Sequence, residues 1–292
     1  MTGNFIDTIR LGKVKSPNSM ANMQLTTTDY GVLRVLDTKG NKPVIISTPD
    51  GPNVIEHHKD LIEKLSVSFR VICFEFPGIG FSFPIFKHDY SFEKSAKIIF
   101  QLMDILEVKK AALCFSCSNG FYAIKAAELA PERFSYLFLS QTPSVSSMKD
   151  WMDTAIPKAL TYPIVGQLVN SFTEKKLAKV WYKIALPKST SKAEYENIAL
   201  NSLNNGGCFC LSSLVQGLIP ELNSSLEQLK VPSTQIWGKK DYSHRKTDNR
   251  SILKHSPNCE IVEFDTCGHF PELESINDYT SLVNERMASL EL

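Results

Sequence analysis

The chain has no run of about 18 uninterrupted apolar residues, so nothing in it reads as a membrane-spanning helix. Charge of one sign is missing too: Lys+Arg 32 against Asp+Glu 31 leaves a formal +1, too little to draw the protein to nucleic acid or anionic lipid. No apolar segment follows the charges of the N-terminal stretch MTGNFIDTIRLGKVKSPNSM, which argues against an export signal. The seven cysteines (Cys73, Cys114, Cys117, Cys208, Cys210, Cys259, Cys267) are odd in number and follow no disulfide-framework spacing, so reduced thiols in a cytoplasmic protein are expected. Internal repeats and low-complexity tracts are also lacking. What remains is 292 residues, 43% hydrophobic, enough for one large core with an insertion. The expected partner is a small molecule; the sequence is silent on oligomeric state.

Short β-branched or apolar runs alternate with longer helical patterns, the signature of an α/β fold whose parallel sheet is covered by helices on both faces. Strands are predicted at 23–27, 32–37, 43–47, 71–76, 111–116, 136–140, 233–237 and 260–264, the first two forming a hairpin across Asp29-Tyr30-Gly31. Apolar stripes at three-to-four spacing predict helices at 57–65, 92–106, 119–129, 246–255 and 277–289. From 142 to 226 the alternation stops and only helix-like segments follow, with helical periodicity at 174–186 and 192–203 and an apolar run at 208–217. This predicts a core of 1–141 and 227–292 interrupted by a helical cap at 142–226, whose Trp151, Trp181, Tyr182 and Phe209 would roof a cleft.

Three segments carry chemistry. Ala111-Ala112-Leu113-Cys114-Phe115-Ser116-Cys117-Ser118-Asn119-Gly120 is a strand running directly into a helix that ends near Pro131-Glu132-Arg133. Ser47-Thr48-Pro49-Asp50-Gly51-Pro52 follows an apolar strand, and Glu75-Phe76-Pro77-Gly78-Ile79-Gly80-Phe81-Ser82 is a glycine-containing turn without a dinucleotide site's third glycine. Trp237-Gly238-Lys239-Lys240-Asp241 closes one late strand, and Cys267-Gly268-His269-Phe270-Pro271 follows the last.

In order and context these segments resemble the α/β-hydrolase superfamily, and the resemblance covers nearly the whole core. It implies a mostly parallel eight-stranded sheet, a nucleophile on a sharp strand-to-helix turn, and triad partners in the chain order nucleophile, acid, base. Carried over residue by residue, it makes Cys117 the nucleophile, Asp241 the acid and His269 the base. Ser116 is the alternative nucleophile; Cys117 is preferred because it puts 14 residues before Pro131, similar to the family's helix length, and places Gly120 at the turn's last small position. The backbone N–H groups of Ser118 and Gly51 would form the oxyanion hole. The departures are Phe115 and Asn119 where glycine is usual, and Pro49-Asp50 where the family has His-Gly.

Singly, each residue also reads as ordinary: a turn Asp, a solvated His, a buried Cys. His57, His58 and His244 read as histidines without a catalytic role. Cys208-x-Cys210 lacks a second ligand pair and Cys114-x-x-Cys117 starts inside a strand, so no metal and no cofactor is expected. A thiol beside an imidazolium and a helix N-terminus is expected to ionise readily and to form a thioester with an acyl substrate. The resulting expectation is an esterase, thioesterase or lactonase for an apolar acyl substrate. An acyltransferase sharing the acyl-cysteine intermediate, and a ligand-binding homologue without turnover, are the alternatives.

Overall fold

A computed structural model describes residues 3–11, 20–86, 88–223 and 226–290. After a short helix α1 (Asn4–Leu11), β1 (Met23–Thr28) and β2 (Gly31–Asp37) form the antiparallel hairpin, Thr28 opposite Gly31. Then come β3 (Val44–Ser47), α2 (Lys59–Leu65), β4 (Arg70–Phe74), the two-residue strands β5 (Ile79–Gly80) and β6 (Phe83–Pro84), and α3 (Phe92–Ile105). The centre of the chain supplies β7 (Ala111–Ser116), α4 (Asn119–Leu129) and β8 (Phe134–Ser140). Next lie α5 (Val145–Ala155), α6 (Val165–Ala185), α7 (Lys192–Asn204), β9 (Cys208–Phe209) and α8 (Leu211–Glu221). The chain closes with β10 (Ser233–Gly238), β11 (Glu260–Phe264), α9 (Pro271–Glu274) and α10 (Ile276–Ala288).

The main sheet runs β1-β2-β4-β3-β7-β8-β10-β11, with β6 added beside β2, and it is parallel from β4 onward. All eight expected strands are on that path. β7 lies at its middle and is buried at every residue, as its unbroken apolar run requires of a strand covered on both faces. One apolar core packs α3 and α4 on one side of the sheet, and a second packs α2 and α10 on the other. Among the described residues no helix is long and apolar enough to cross a membrane, and all seven cysteines are buried and unpaired.

Some boundaries differ from the sequence reading. The strand predicted to reach residue 76 stops at Phe74, because Glu75 turns its carboxylate inward and Pro77 has no N–H to pair. The helix predicted at 246–255 is only a 3₁₀ turn, Asn249–Lys254, whose start is capped by Asp248 accepting from the Arg250 N–H. Asp248 and Asn249 offer the backbone local side-chain bonds that compete with a full helix. Helix α6 begins nine residues before the predicted 174, at Val165. The two-stranded sheet of β5 and β9 pairs Ile79 with Phe209 and so ties the turn after β4 to the segment before α8.

The turn after β4 is built on a buried ion cluster. The Arg34 guanidinium, fully buried, donates from Nε to Glu75 Oε2 at 3.0 Å, from Nη2 to Glu75 Oε1, and from Nη1 and Nη2 to the Glu56 carboxylate at 2.8 and 2.7 Å. Glu75 also accepts the backbone N–H groups of Ile55 (3.1 Å) and Phe81 (2.8 Å). Removing that carboxylate strands two N–H groups and half the counter-charge of Arg34. Glu75→Ala is therefore expected to lower stability by roughly 3–5 kcal/mol, read as a fall in the urea midpoint. An unchanged midpoint would mean that the cluster is solvated.

Candidate active site

The strand-to-helix turn after β7 places Cys117 at φ 52, in the left-handed region that a residue other than glycine enters only when its surroundings hold it there. The Cys117 N–H donates to the Ser140 carbonyl at 2.7 Å, and the Cys117 carbonyl accepts from Thr142 Oγ1 at 3.0 Å and from the Gly120 N–H at 3.1 Å. Gly120 is required by close approach: a Cβ there would lie 2.2 Å from Thr142 Oγ1. Helix α4 thus starts tight against the end of β8.

The two departures from the family's glycines have structural reasons. Phe115 points into the core, 5.9 Å from the Phe76 ring and 6.1 Å from Phe74, so its large side chain fills core space between the strands. Asn119 donates from Nδ2 to the Pro49 carbonyl at 3.2 Å, pinning the turn to the loop after β3. Ser116, the neighbouring hydroxyl, donates to Glu272 Oε1 at 2.7 Å beneath the base loop and does not line the cavity that Cys117 opens onto.

Asp241, after β10, and His269, after β11, meet at 2.6 Å between Oδ2 and Nδ1. Asp241 Oδ2 also accepts from Gln141 Nε2 at 2.7 Å, and its Oδ1 accepts from the Ser243 N–H at 2.8 Å and Ser243 Oγ at 2.6 Å. Burial alone would disfavour this carboxylate, but the charge and hydrogen bond of His269, with the Ser243 bond behind them, hold its pKa at about 2. Gln141 sits at φ 49 and also accepts the Gly238 N–H at 2.8 Å, which locks the acid loop to the end of β8. Sequence reading gave Gln141 no role; its only signal was its place at a strand end beside the turn.

Asp50 is the larger omission. It occupies the loop position where the family has glycine, and its Oδ2 lies 3.2 Å from His269 Nε2, the nitrogen that the triad reading aims at the nucleophile. His269 is fully buried, and Asp50 is 8% exposed. Burial opposes charge on His269, but the charge and hydrogen bond of Asp241 and the hydrogen bonds to Asp50 and Cys117 raise its pKa well above the usual value. Burial raises Asp50, against the hydrogen bond from His269. Burial, reinforced by the Asp50 charge, also pushes the Cys117 thiol up, more than the hydrogen bond with His269 pulls it down. The expectation of a readily ionised Cys117 is therefore corrected: the sequence shows an imidazole and a helix start, but not the carboxylate set between them.

Aromatic side chains from α5 and α6 close over His269. Trp181 of α6 meets the His269 ring edge-on at 4.9 Å, while Trp151 of α5 stacks on His244 at 4.8 Å and 9°. His244 in turn stacks on His269 at 5.3 Å and 21°. Burial lowers the His244 pKa to about 3, so it lies against His269 as a neutral ring. Cys117, His244 and His269 each bring one donor atom within 4.8 Å of the others. Both His269 nitrogens already face carboxylates, Nδ1 that of Asp241 and Nε2 that of Asp50, so this ring offers the trio no free lone pair.

Cys117, Ser118, Gly51 and Asp50 form the floor of a cavity of about 180 Å³. Its walls are apolar, from Met148, Met152, Leu177, Val180, Leu214 and Leu218, and among the described residues Asp50 is the only charged one lining it. Gly51 is held to glycine by space, since a Cβ would lie 2.7 Å from both Ile79 and Phe209. The Ser118 N–H faces the Cys117 sulfur. His57 and His58 lie outside the cavity: His57 Nδ1 accepts the Val54 N–H at 3.0 Å, and His58 is buried in the turn before α2.

A central parallel strand turns sharply into a helix at Cys117, and an Asp–His pair is delivered from the ends of two later strands of the same sheet. The chain belongs to the α/β-hydrolase fold family, whose family model matches residues 51–275. It is 23% identical over 257 residues to the 2-hydroxy-6-oxononadienedioate/2-hydroxy-6-oxononatrienedioate hydrolase of Burkholderia vietnamiensis, covering 84% of this chain and 87% of the relative. It is 25% identical over 230 residues to the pimeloyl-[acyl-carrier protein] methyl ester esterase of Aliivibrio salmonicida, covering 75% and 82%. Among solved structures, the enol-lactonase from Burkholderia xenovorans superposes with a TM-score of 0.71 at 18% identity over 91% of this chain and all of that one, a likeness of fold.

Proposed function

We propose that this chain is a hydrolase that opens an ester, thioester or lactone bond of a small, uncharged, apolar acyl substrate through an acyl-Cys117 intermediate. In this reading Asp241 fixes His269, the Ser118 and Gly51 N–H groups stabilise the oxyanion, and residues 142–226 act as the cap that shapes the pocket. The observation that carries it is Cys117 itself: it alone occupies the left-handed elbow, it opens onto the cavity, and its sulfur lies within 4.8 Å of a His269 ring nitrogen. The related enzymes named above are hydrolases, one of them an ester hydrolase. An uncharged substrate is supported by the lining, which among the described residues offers no Lys or Arg to pair with a carboxylate. Seven buried, unpaired thiols support a reducing, cytoplasmic setting.

The test is product analysis on neutral p-nitrophenyl esters, acyl thioesters and lactones of increasing chain length, with and without added amine or thiol acceptors. Free acid as the product at every acceptor concentration supports hydrolysis. An acceptor adduct displacing the free acid would make the protein an acyltransferase, and no consumption of any of them would leave a binding protein.

A further inference from the structure

His269 has a carboxylate on each ring nitrogen. Asp241 Oδ2 lies at 2.6 Å from Nδ1 and Asp50 Oδ2 at 3.2 Å from Nε2. A neutral imidazole has only one N–H, so a ring bonded to two carboxylates is satisfied as the two-donor imidazolium. His269 is fully buried beneath Trp181 and does not line the cavity, whereas Asp50 does, beside Cys117. The Asp241–His269–Asp50 row is thus a relay whose only pocket-facing member is a carboxyl group. General acid–base work requires contact with the proton that moves.

We propose that Asp50 is a catalytic residue, the group that exchanges protons with sulfur, substrate and water, and that His269 stays an imidazolium that orients it. The proposal rests on the acyl-Cys117 reading and deepens it. In acylation the Cys117 sulfur bonds the acyl carbon while the S–H proton passes to the Asp50 carboxylate. The bond from acyl carbon to the leaving oxygen or sulfur breaks, its electron pair departs with that atom, and Asp50 returns the proton to it. In deacylation water bonds the thioester carbon, its proton passes to Asp50, and the C–S bond breaks with its pair on sulfur. Asp50 then reprotonates the sulfur, so each half-reaction returns the site to its starting charge.

The titratable groups facing Asp50 are Cys117 and Tyr122 at the elbow and α4, His269 with Asp241 behind it, and Tyr182 of α6. The Asp50 charge opposes ionisation of the Cys117 thiol as it does that of Tyr122 and Tyr182, and of these three the thiol is the one that acylation and alkylation read. Replacing the carboxylate by an amide therefore has two opposite consequences, which a role in packing alone would not produce. Sulfur becomes easier to ionise against a freed His269, and the acyl-enzyme loses its proton acceptor.

The experiment compares wild type, Asp50→Asn and Asp50→Ser by two readouts, with urea unfolding to verify that each variant is folded. The first is the rate of Cys117 alkylation by iodoacetamide against pH, which needs no acyl chemistry. Both variants are expected to react about 10-fold faster at neutral pH, with the profile's midpoint moved to lower pH. The second is intact mass after a pulse of p-nitrophenyl butyrate, where acyl-enzyme is expected to clear about 100-fold more slowly than in wild type. Unchanged alkylation, or acyl-enzyme that clears as fast in both variants as in wild type, overturns the role of Asp50 alone. A wild type that forms no acyl adduct overturns the acyl-Cys117 reading and this proposal with it.

Discussion

Cys117→Ala is expected to reduce kcat/KM on a neutral ester by about 10,000-fold or more, to the residual level that binding and oxyanion contacts alone sustain. The substitution removes one buried atom from a turn otherwise held by the backbone bonds of Cys117 to Ser140, Thr142 and Gly120, which alanine makes equally well. Folding and the cavity are therefore expected to survive, and an apolar product analogue should still bind. Loss of turnover with binding retained is the signature of a missing nucleophile, measured by steady-state kinetics alongside titration of the analogue. Activity within tenfold of wild type would remove sulfur from the reaction.

Asp241→Asn is expected to have the next largest effect, again about 10,000-fold on kcat/KM. Every acceptor site of this carboxylate is in use: Oδ1 takes two hydrogen bonds from Ser243 and one from the His244 N–H, and Oδ2 takes those of Gln141 and His269. An amide can accept on one side only, so its NH₂ must face either the Ser243 donors or those of Gln141 and His269, and the base loop loses its anchor.

The pH dependence of stability should change with it. Asp241 is depressed to about 2 in the fold from its usual 3.8, so its contribution is present above pH 3.8 and is lost as pH falls toward 2. His269 is raised above 6.5, so its contribution is present below that value and is lost as pH rises through the folded pKa. The wild type therefore gains from both groups between those limits. The variant should lose most of that gain, about 2 kcal/mol near pH 6 from the carboxylate alone, and show a flatter acid limb in urea unfolding. A variant whose stability profile overlays wild type would mean that the Asp241–His269 pair is not ionised in the fold.

The sheet was legible because each main strand is a short apolar run bounded by turn residues, and because the order of Gly-containing turns, Trp-Gly-x-x-Asp and Gly-His-Phe-Pro segments restricts the topology. Cys117, Asp241 and His269 were legible for the same local reason. Helix α1 was not: its apolar residues do fall on one face, but eight residues make too few turns for a helix to stand out on its own. Asp50 was visible as a departure from the family pattern, but not as a partner of His269, because the two lie 219 residues apart and only the packed loops set them at 3.2 Å. The protonation of Cys117 was misread on the same account. A local motif records the groups that activate a thiol, while burial and a distant carboxylate, which oppose that activation, exist only in the folded site.

The most direct test of the central claim is intact-mass and peptide mapping of wild type, Cys117→Ala and Ser116→Ala after exposure to an activated neutral acyl ester. The account predicts a single acyl adduct on Cys117 that clears with time, present in wild type and Ser116→Ala and absent from Cys117→Ala. An adduct that persists in Cys117→Ala, or that disappears only in Ser116→Ala, would contradict it.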